Sequence, residues 1–172
     1  MAVNTTATIS ADIVYQQQDT NSNRLDNRQG SIAYSQPLTS GTGELQINAV
    51  YNMQSAEISP STCFLLDLNN VSQSIVGGSM TLSFDNIKSI CIHNTAAITG
   101  EDLVVKATGS NSFTAPFNGG AGNILVKPAS SYSYSDPYTG ATVNGSNKNF
   151  QVCNSGTGVV AFSIIAIGVT GI

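Results

Sequence analysis

Polar and apolar residues alternate with a period of two in several short segments of the chain. In 44–51 and 79–84 every second residue is apolar, which is typical of strands that bury one face. The run 61–68 is apolar more continuously, so we expect both of its faces to be covered. Strands are predicted at 6–15, 44–51, 61–68, 79–84, 87–94, 102–107, 123–127, 149–153 and 158–167.

Turn residues separate these segments at intervals of about ten residues. The stretches 109–111, 118–122 and 144–147 are rich in Gly and Asn, which tolerate a positive φ. Two longer segments, 90–107 and 150–167, share one order: a strand, an Asn followed by a hydroxyl residue, and a second strand. The sequence therefore predicts an all-β fold, an antiparallel β-sandwich of jelly-roll or Greek-key type.

The N-terminal part has a different character. Residues 16–31 contain few large apolar side chains beyond Leu25 and cannot bury much surface. We therefore predict two parts. Residues 1–37 form an extended N-terminal arm or long loop with one short strand, and residues 38–172 form the β-sandwich domain.

Charge is scarce along the whole chain. Only 9% of the residues are charged and the formal net charge is -4, whereas about 25% is usual in soluble domains. Of the basic residues only Arg24 and Arg28 lie close together, so the basic face that nucleic acid requires is missing. Solubility must come from hydroxyl and amide groups, which also suit a surface that contacts other proteins. We expect no nucleic-acid partner.

The three cysteines, Cys63, Cys91 and Cys153, are widely spaced and lie in strand-like segments. We interpret them as buried reduced thiols, and one disulfide plus one free thiol is the alternative. The N-terminus lacks the pattern of a secretory signal, and the longest apolar run, 159–167, is too short to span a bilayer. We expect synthesis in a cytoplasm and no membrane partner.

Residues for catalysis are few. His93 is the single histidine, so any Ser-His or Cys-His scheme would have to use it. No nucleophile-elbow motif is present, and the cysteines and His93 lack the short spacings of zinc sites. We expect a protein that is not an enzyme and has no catalytic residue, cofactor or metal. A small hydrolase built on His93 is the competing hypothesis.

The stretch 130–138 is rich in tyrosine and serine. Such stretches form contact surfaces, because Tyr offers a large amphipathic area at low entropic cost. Tyr132, Tyr134 and Tyr138, together with Arg24 and Arg28, are the candidate contact residues. In the alternative, the stretch is a strand whose tyrosines face the core with their hydroxyls at the rim.

The order of strands and turns in the C-terminal hundred residues follows a known pattern. Its segments are 65–68 (LLDL), 80–84 (MTLSF), 87–90 (IKSI), 92–95 (IHNT), 103–105 (LVV), 124–128 (ILVKP), 154–158 (NSGTG) and 164–168 (IIAIG). In this order they resemble small virion proteins encoded by tailed bacteriophages. The resemblance covers Leu65 to Gly168 and leaves the N-terminal part out.

The resemblance implies a jelly-roll β-sandwich that decorates or cements a viral capsid. It implies a capsid decoration protein on the virion surface that binds the major capsid protein, often as a homotrimer, without catalytic residues. A polar N-terminal arm suits a cement protein, which could lay it across neighbouring capsid subunits. The alternative function is a head-fibre or tail module that binds a host receptor or glycan.

Overall fold

The computed structural model describes residues 4–18, 27–75 and 78–171, with the backbone alone for 13–18, 27–32 and 75. The described residues form strands and one short 3-10 helix, Ala115–Phe117. The strands are β1 (Ala7–Gln18), β2 (Asn27–Ser40), β3 (Gln46–Ile47), β4 (Ala49–Ile58), β5 (Cys63–Asp67), β6 (Val71–Ile75), β7 (Gly78–Leu82), β8 (Phe84–Asn94), β9 (Leu103–Lys106), β10 (Asn123–Val126), β11 (Ser131–Ser135), β12 (Ala141–Thr142), β13 (Asn149–Asn154) and β14 (Val160–Thr170).

Nine of these strands form two antiparallel sheets that face each other, and the shortest of them, β12, pairs with β8 beside the main path of the first sheet. One sheet has the order β11-β8-β14-β4, and the other has the order β10-β9-β13-β5. Consecutive pairs such as β4 and β5 or β13 and β14 are divided between the sheets, which is the connection pattern of a jelly roll. The predicted fold class, an all-β antiparallel sandwich, is confirmed. We call the first sheet the ribbon-side sheet and the second the disulfide sheet.

The core lies between the two sheets and is built by alternation. Phe150 and Val152 of β13, and Ile90 and Ile92 of β8, point inward at every second position and are at most 1% exposed. The rings of Phe64 and Phe162 meet at 5.6 Å between centroids in an edge-to-face contact across the sandwich. Burial of these apolar side chains stabilises the sandwich, because it removes their surface from water.

The N-terminal part differs from the single short strand predicted for 1–37. β1 and β2 pair antiparallel over their whole length, from Ala7↔Leu38 to Gln18↔Asn27. β3 then pairs with the end of β2 in parallel. The second strand was not predicted because its sequence is polar and carries only a weak apolar alternation. Its backbone can pair all the same, because the hydrogen bonds of a ladder do not depend on apolar side chains. We call the paired strands β1 and β2 the ribbon.

The interpretation of the cysteines as reduced thiols is wrong for two of the three. Cys63 and Cys153 stand opposite each other in the β5–β13 ladder and form a disulfide across 90 residues of sequence. Cys63 is exposed and Cys91 is half-buried, and Cys91 is the free cysteine of the described residues. The sequence could not show this pairing, because the register that brings the two residues together depends on the whole sandwich.

Candidate interaction surface

Among the described side chains of the ribbon, those at its base pack on the sandwich. Leu38 is 1% exposed and packs with Ile47 of β3 and with Ile167 of β14 in the ribbon-side sheet, and Ala7 and Ile9 pack against this cluster. These residues lie on one side of the ribbon, since β1 and β2 present alternate residues to the same face. Burial of this small cluster therefore fixes the base of the ribbon on the sheet.

Burial decreases along that face of the ribbon. The register pairs Ala7 with Leu38, then Ile9 with Gln36, and then Ala11 with Tyr34. Leu38 is buried, and Ile9 and Gln36 are half-buried. Ala11 and Tyr34 are exposed, and Tyr34 keeps 46% of its surface open to solvent. Among the described side chains, burial against the body of the molecule therefore ends between the second and third such pairs.

The ladder continues well beyond this point. Register pairs run from Ala11↔Tyr34 to Gln18↔Asn27, a length of about 27 Å at the usual rise per residue. Side chains on both faces are exposed at positions 10–12 and 33–35. A two-stranded hairpin without packing partners is only marginally stable in water. The described side chains at 10–12 and 33–35 therefore form an exposed surface that another molecule would stabilise by covering it.

Next to the ribbon base, the outer face of the ribbon-side sheet is partly open. One row across four strands consists of Ser133, Cys91, Ile165 and Asn52. Ile165 is 44% exposed at the centre of this row. A crevice of about 230 Å³ separates the row from Ala7–Ser10 of the ribbon, and no charged residue lines it. We call this space the ribbon crevice.

Two of the three candidate tyrosines face the core. Tyr132 and Tyr134 alternate with exposed serines along β11 and pack against the hydrophobic core. The Tyr132 hydroxyl donates to the Pro116 carbonyl at 3.5 Å, and burial raises the pKa of both phenols. This placement matches the alternative of a strand with tyrosines on its core face and hydroxyls at the rim.

Tyr138 lies in a loop after β11 and is 56% exposed. A hydrogen bond anchors the loop to the sheet, since the buried Lys88 ammonium donates to the Tyr138 carbonyl. The Thr139 hydroxyl also donates to Asp136 at 2.9 Å. Desolvation lowers the pKa of Lys88, and the nearby carboxylates of Asp136 and Glu44 act in the opposite direction. Tyr138 is thus an exposed ring on a well-anchored loop.

The two candidate arginines lie where the structure describes no side chain. Arg24 lies outside the described residues, and Arg28 is described by its backbone alone, in β2.

The sequence analysis did not identify Tyr34, Ile165 or the ribbon base as parts of the candidate surface. A signal for the base was present, since Ala7, Ile9 and Ala11 recur with a period of two. The partner strand carried a weaker pattern, and Ile165 lay inside a continuous apolar run.

His93 is exposed on the outer face of β8. Its Nδ1 atom lies 2.9 Å from the Ser131 hydroxyl, and the register places Ser163 on its other side. The two hydroxyls and the ring lie on the outer surface of the sheet. A serine hydrolase uses a water-poor site with donors aimed at a developing oxyanion, and the exposed position of His93 differs from such a site.

No group of three or more His, Cys, Asp or Glu residues that could hold a metal ion occurs in the described part of the chain.

No known protein family matches this sequence, and no curated protein is measurably similar to it. Among residues 4–18, 27–75 and 78–171, no helix is long and apolar enough to cross a membrane.

Proposed function

We propose that this chain is a viral structural protein, a capsid decoration protein that binds the outer shell without catalysis. The observation that carries the proposal is the loss of burial along the ribbon. Its ladder continues from Ala11↔Tyr34 to Gln18↔Asn27, while the side chains of its first pairs beyond the base are exposed. A ribbon of this kind gains stability when a protein surface covers it.

The chemistry of the surface supports a protein partner. Ala11 and Tyr34 offer aliphatic and aromatic contact without charge, and aromatic residues are enriched at protein interfaces. The edges and backbone of an extended ribbon can also add hydrogen bonds to a neighbouring sheet or loop. A shell built from many copies of a major capsid protein offers repeated surfaces of that kind.

The decisive experiment adds the purified protein to undecorated shells and measures binding by co-sedimentation and shell stability by heating. We expect wild-type protein to bind and to raise the temperature at which the shells break. Tyr34→Ala weakens binding, and Tyr138→Ala serves as the matched control, because both rings are exposed but only Tyr34 lies on the ribbon. Wild-type protein that leaves the shells unbound would overturn the proposal.

A second candidate is a fibre or tail module that binds a receptor or glycan. Tyr138 favours it, since an exposed aromatic ring on an anchored loop can stack on an apolar ligand face. Binding of the isolated protein to a glycan array, abolished by Tyr138→Ala and unchanged by Tyr34→Ala, would favour this function over decoration. The two candidates therefore predict opposite responses to the same pair of variants.

A further inference from the structure

We propose that the ribbon of one copy seats on the ribbon crevice of a second copy. Ala11 and Tyr34 of the first copy would lie against Ile165 and Cys91 of the second. The inference rests on the proposed function only for the role of the assembled copies on a shell. There the rest of the ladder, 12–18 paired with 27–33, stays available to the capsid protein. The inference is testable without shells.

The molecule itself shows that this face of the ribbon fits this face of the sheet. Ala7, Ile9 and Leu38 already pack on the cluster that contains Ile167. Ile167 and Ile165 are two residues apart on β14, so both lie on the outer face of the sheet. The intramolecular contact covers Ile167, which is 7% exposed, and leaves Ile165 44% exposed.

On both the ribbon and the sheet, the surface that forms this contact extends to exposed residues beyond it. On the ribbon, the next pair on the packed side is Ala11 with Tyr34, and both are exposed. On the sheet, the next row contains Ser133, Cys91 and Ile165, and it forms the floor of a crevice of about 230 Å³. Within one copy the two surfaces remain open, since Ala11, Tyr34 and Ile165 are all exposed.

A second copy is the occupant that these surfaces fit. The crevice is lined by aliphatic, hydroxyl and thiol groups without a charge, and the uncovered ribbon pair, Ala11 and Tyr34, is likewise uncharged and partly apolar. Each copy carries one ribbon and one crevice, so an exchange of ribbons satisfies both surfaces of every member. The new contact is continuous with the ribbon base already seated on the same sheet.

The experiment measures the oligomeric state of the full chain by sedimentation velocity over a wide range of concentrations. We expect wild-type protein to associate. Tyr34→Lys and Ile165→Glu each abolish association, because each places a charge in an apolar contact. Tyr138→Lys and Leu125→Glu are the matched controls, since these residues are exposed to similar extents on other surfaces.

Mixing the two disrupted variants tests which surfaces meet. A Tyr34→Lys copy retains an intact crevice, and an Ile165→Glu copy retains an intact ribbon, so one contact in the mixture is native. The other contact pairs the new lysine with the new glutamate. We expect the mixture to associate where neither variant does alone. Far-ultraviolet circular dichroism checks that both variants are folded.

Three outcomes overturn the inference: a wild-type chain that stays monomeric, association that survives both substitutions, or a mixture that stays monomeric. Shell binding separates this inference from the proposed function. Ile165→Glu leaves the ribbon intact, so at high protein concentration it still binds shells if the decoration function holds. If wild-type protein is monomeric and binds shells, the ribbon exchange alone is rejected. If it associates but does not bind shells, the decoration function alone is rejected.

Discussion

Asn94 and Asn154 occupy equivalent positions at the ends of β8 and β13 in the two facing sheets. Each is at most 2% exposed. The Asn94 amide donates to the carbonyls of Glu101 and Val126 at 2.9 and 3.0 Å. The Asn154 amide donates to the carbonyls of Ile58 and Gly158 at 2.9 and 2.7 Å.

Each side chain also accepts one hydrogen bond from the backbone N–H two residues further on, that of Ala96 for Asn94 and that of Gly156 for Asn154. The two residues thereby tie together the loops that cross between the sheets at one end of the sandwich. The shared order of residues in 90–107 and 150–167 corresponds to this repeated set of hydrogen bonds. The sequence did not show which groups the two asparagines bind.

Replacement of either buried asparagine should destabilise the fold. Asn94→Ala removes three hydrogen bonds and leaves two carbonyls and one N–H without their partner. We expect the free energy of unfolding to fall by about 3 kcal/mol, and Asn154→Ala should act similarly. Urea denaturation measures the change, with Asn123→Ala in β10 as the exposed control. Equal stability of the control and the buried variants would contradict the role assigned to the two side chains.

Gly168 should tolerate no larger residue. It lies at a register shift between β14 and β8, and a Cβ atom there would overlap the Asn86 carbonyl oxygen and lie 3.1 Å from a ring carbon of Phe84. Because the obstructing atom is backbone, Gly168→Ala should cost about 1–3 kcal/mol of stability. Gly145→Ala is the control, since a Cβ there meets nothing within 4 Å. The pair is compared by thermal unfolding.

The disulfide should contribute a measurable part of the stability. It closes a loop with a sequence separation of 90 residues, for which loop-closure entropy predicts about 4.6 kcal/mol. Cys63→Ala with Cys153→Ala should therefore lower the midpoint of urea unfolding, and a reducing agent should lower it for the wild type but not for this double variant. Cys91→Ala keeps the bond, so it should stay sensitive to reductant. A wild-type midpoint that is indifferent to reductant would refute the prediction.

Alkaline pH should destabilise the protein partly through Tyr134. Burial, with smaller contributions from Asp136 and Tyr132, raises the pKa of this phenol above its ordinary value of 10.0. Between 10.0 and the raised pKa the unfolded chain has lost the proton and the folded chain retains it. The unfolded state then binds fewer protons, so stability falls as pH increases through this window.

Tyr134→Phe removes that ionisation. We expect the difference in unfolding free energy between wild type and variant to stay constant near neutral pH and to shift in favour of the variant above pH 10.0. Urea unfolding at a series of alkaline pH values measures it. Parallel pH profiles for the two proteins would show that the phenol titrates alike in the folded and unfolded states.

The sequence by itself determined the local structure of this protein. Period-two alternation and Gly- and Asn-rich turns predicted most of the sandwich strands and their class, because those signals depend on residues near one another in the chain. Alternation along β11 also left two placements open for Tyr132 and Tyr134. The choice between them needed the position of the core.

Tertiary structure alone decided which distant residues meet. The pairing of Cys63 with Cys153, the contact of Leu38 with Ile167 and the second strand of the ribbon all depend on register between segments far apart in sequence. A shift of one residue in such a ladder turns every side chain to the opposite face. Only the packing of the complete core selects one register, so the crevice and the exposed ribbon face were beyond the reach of local patterns.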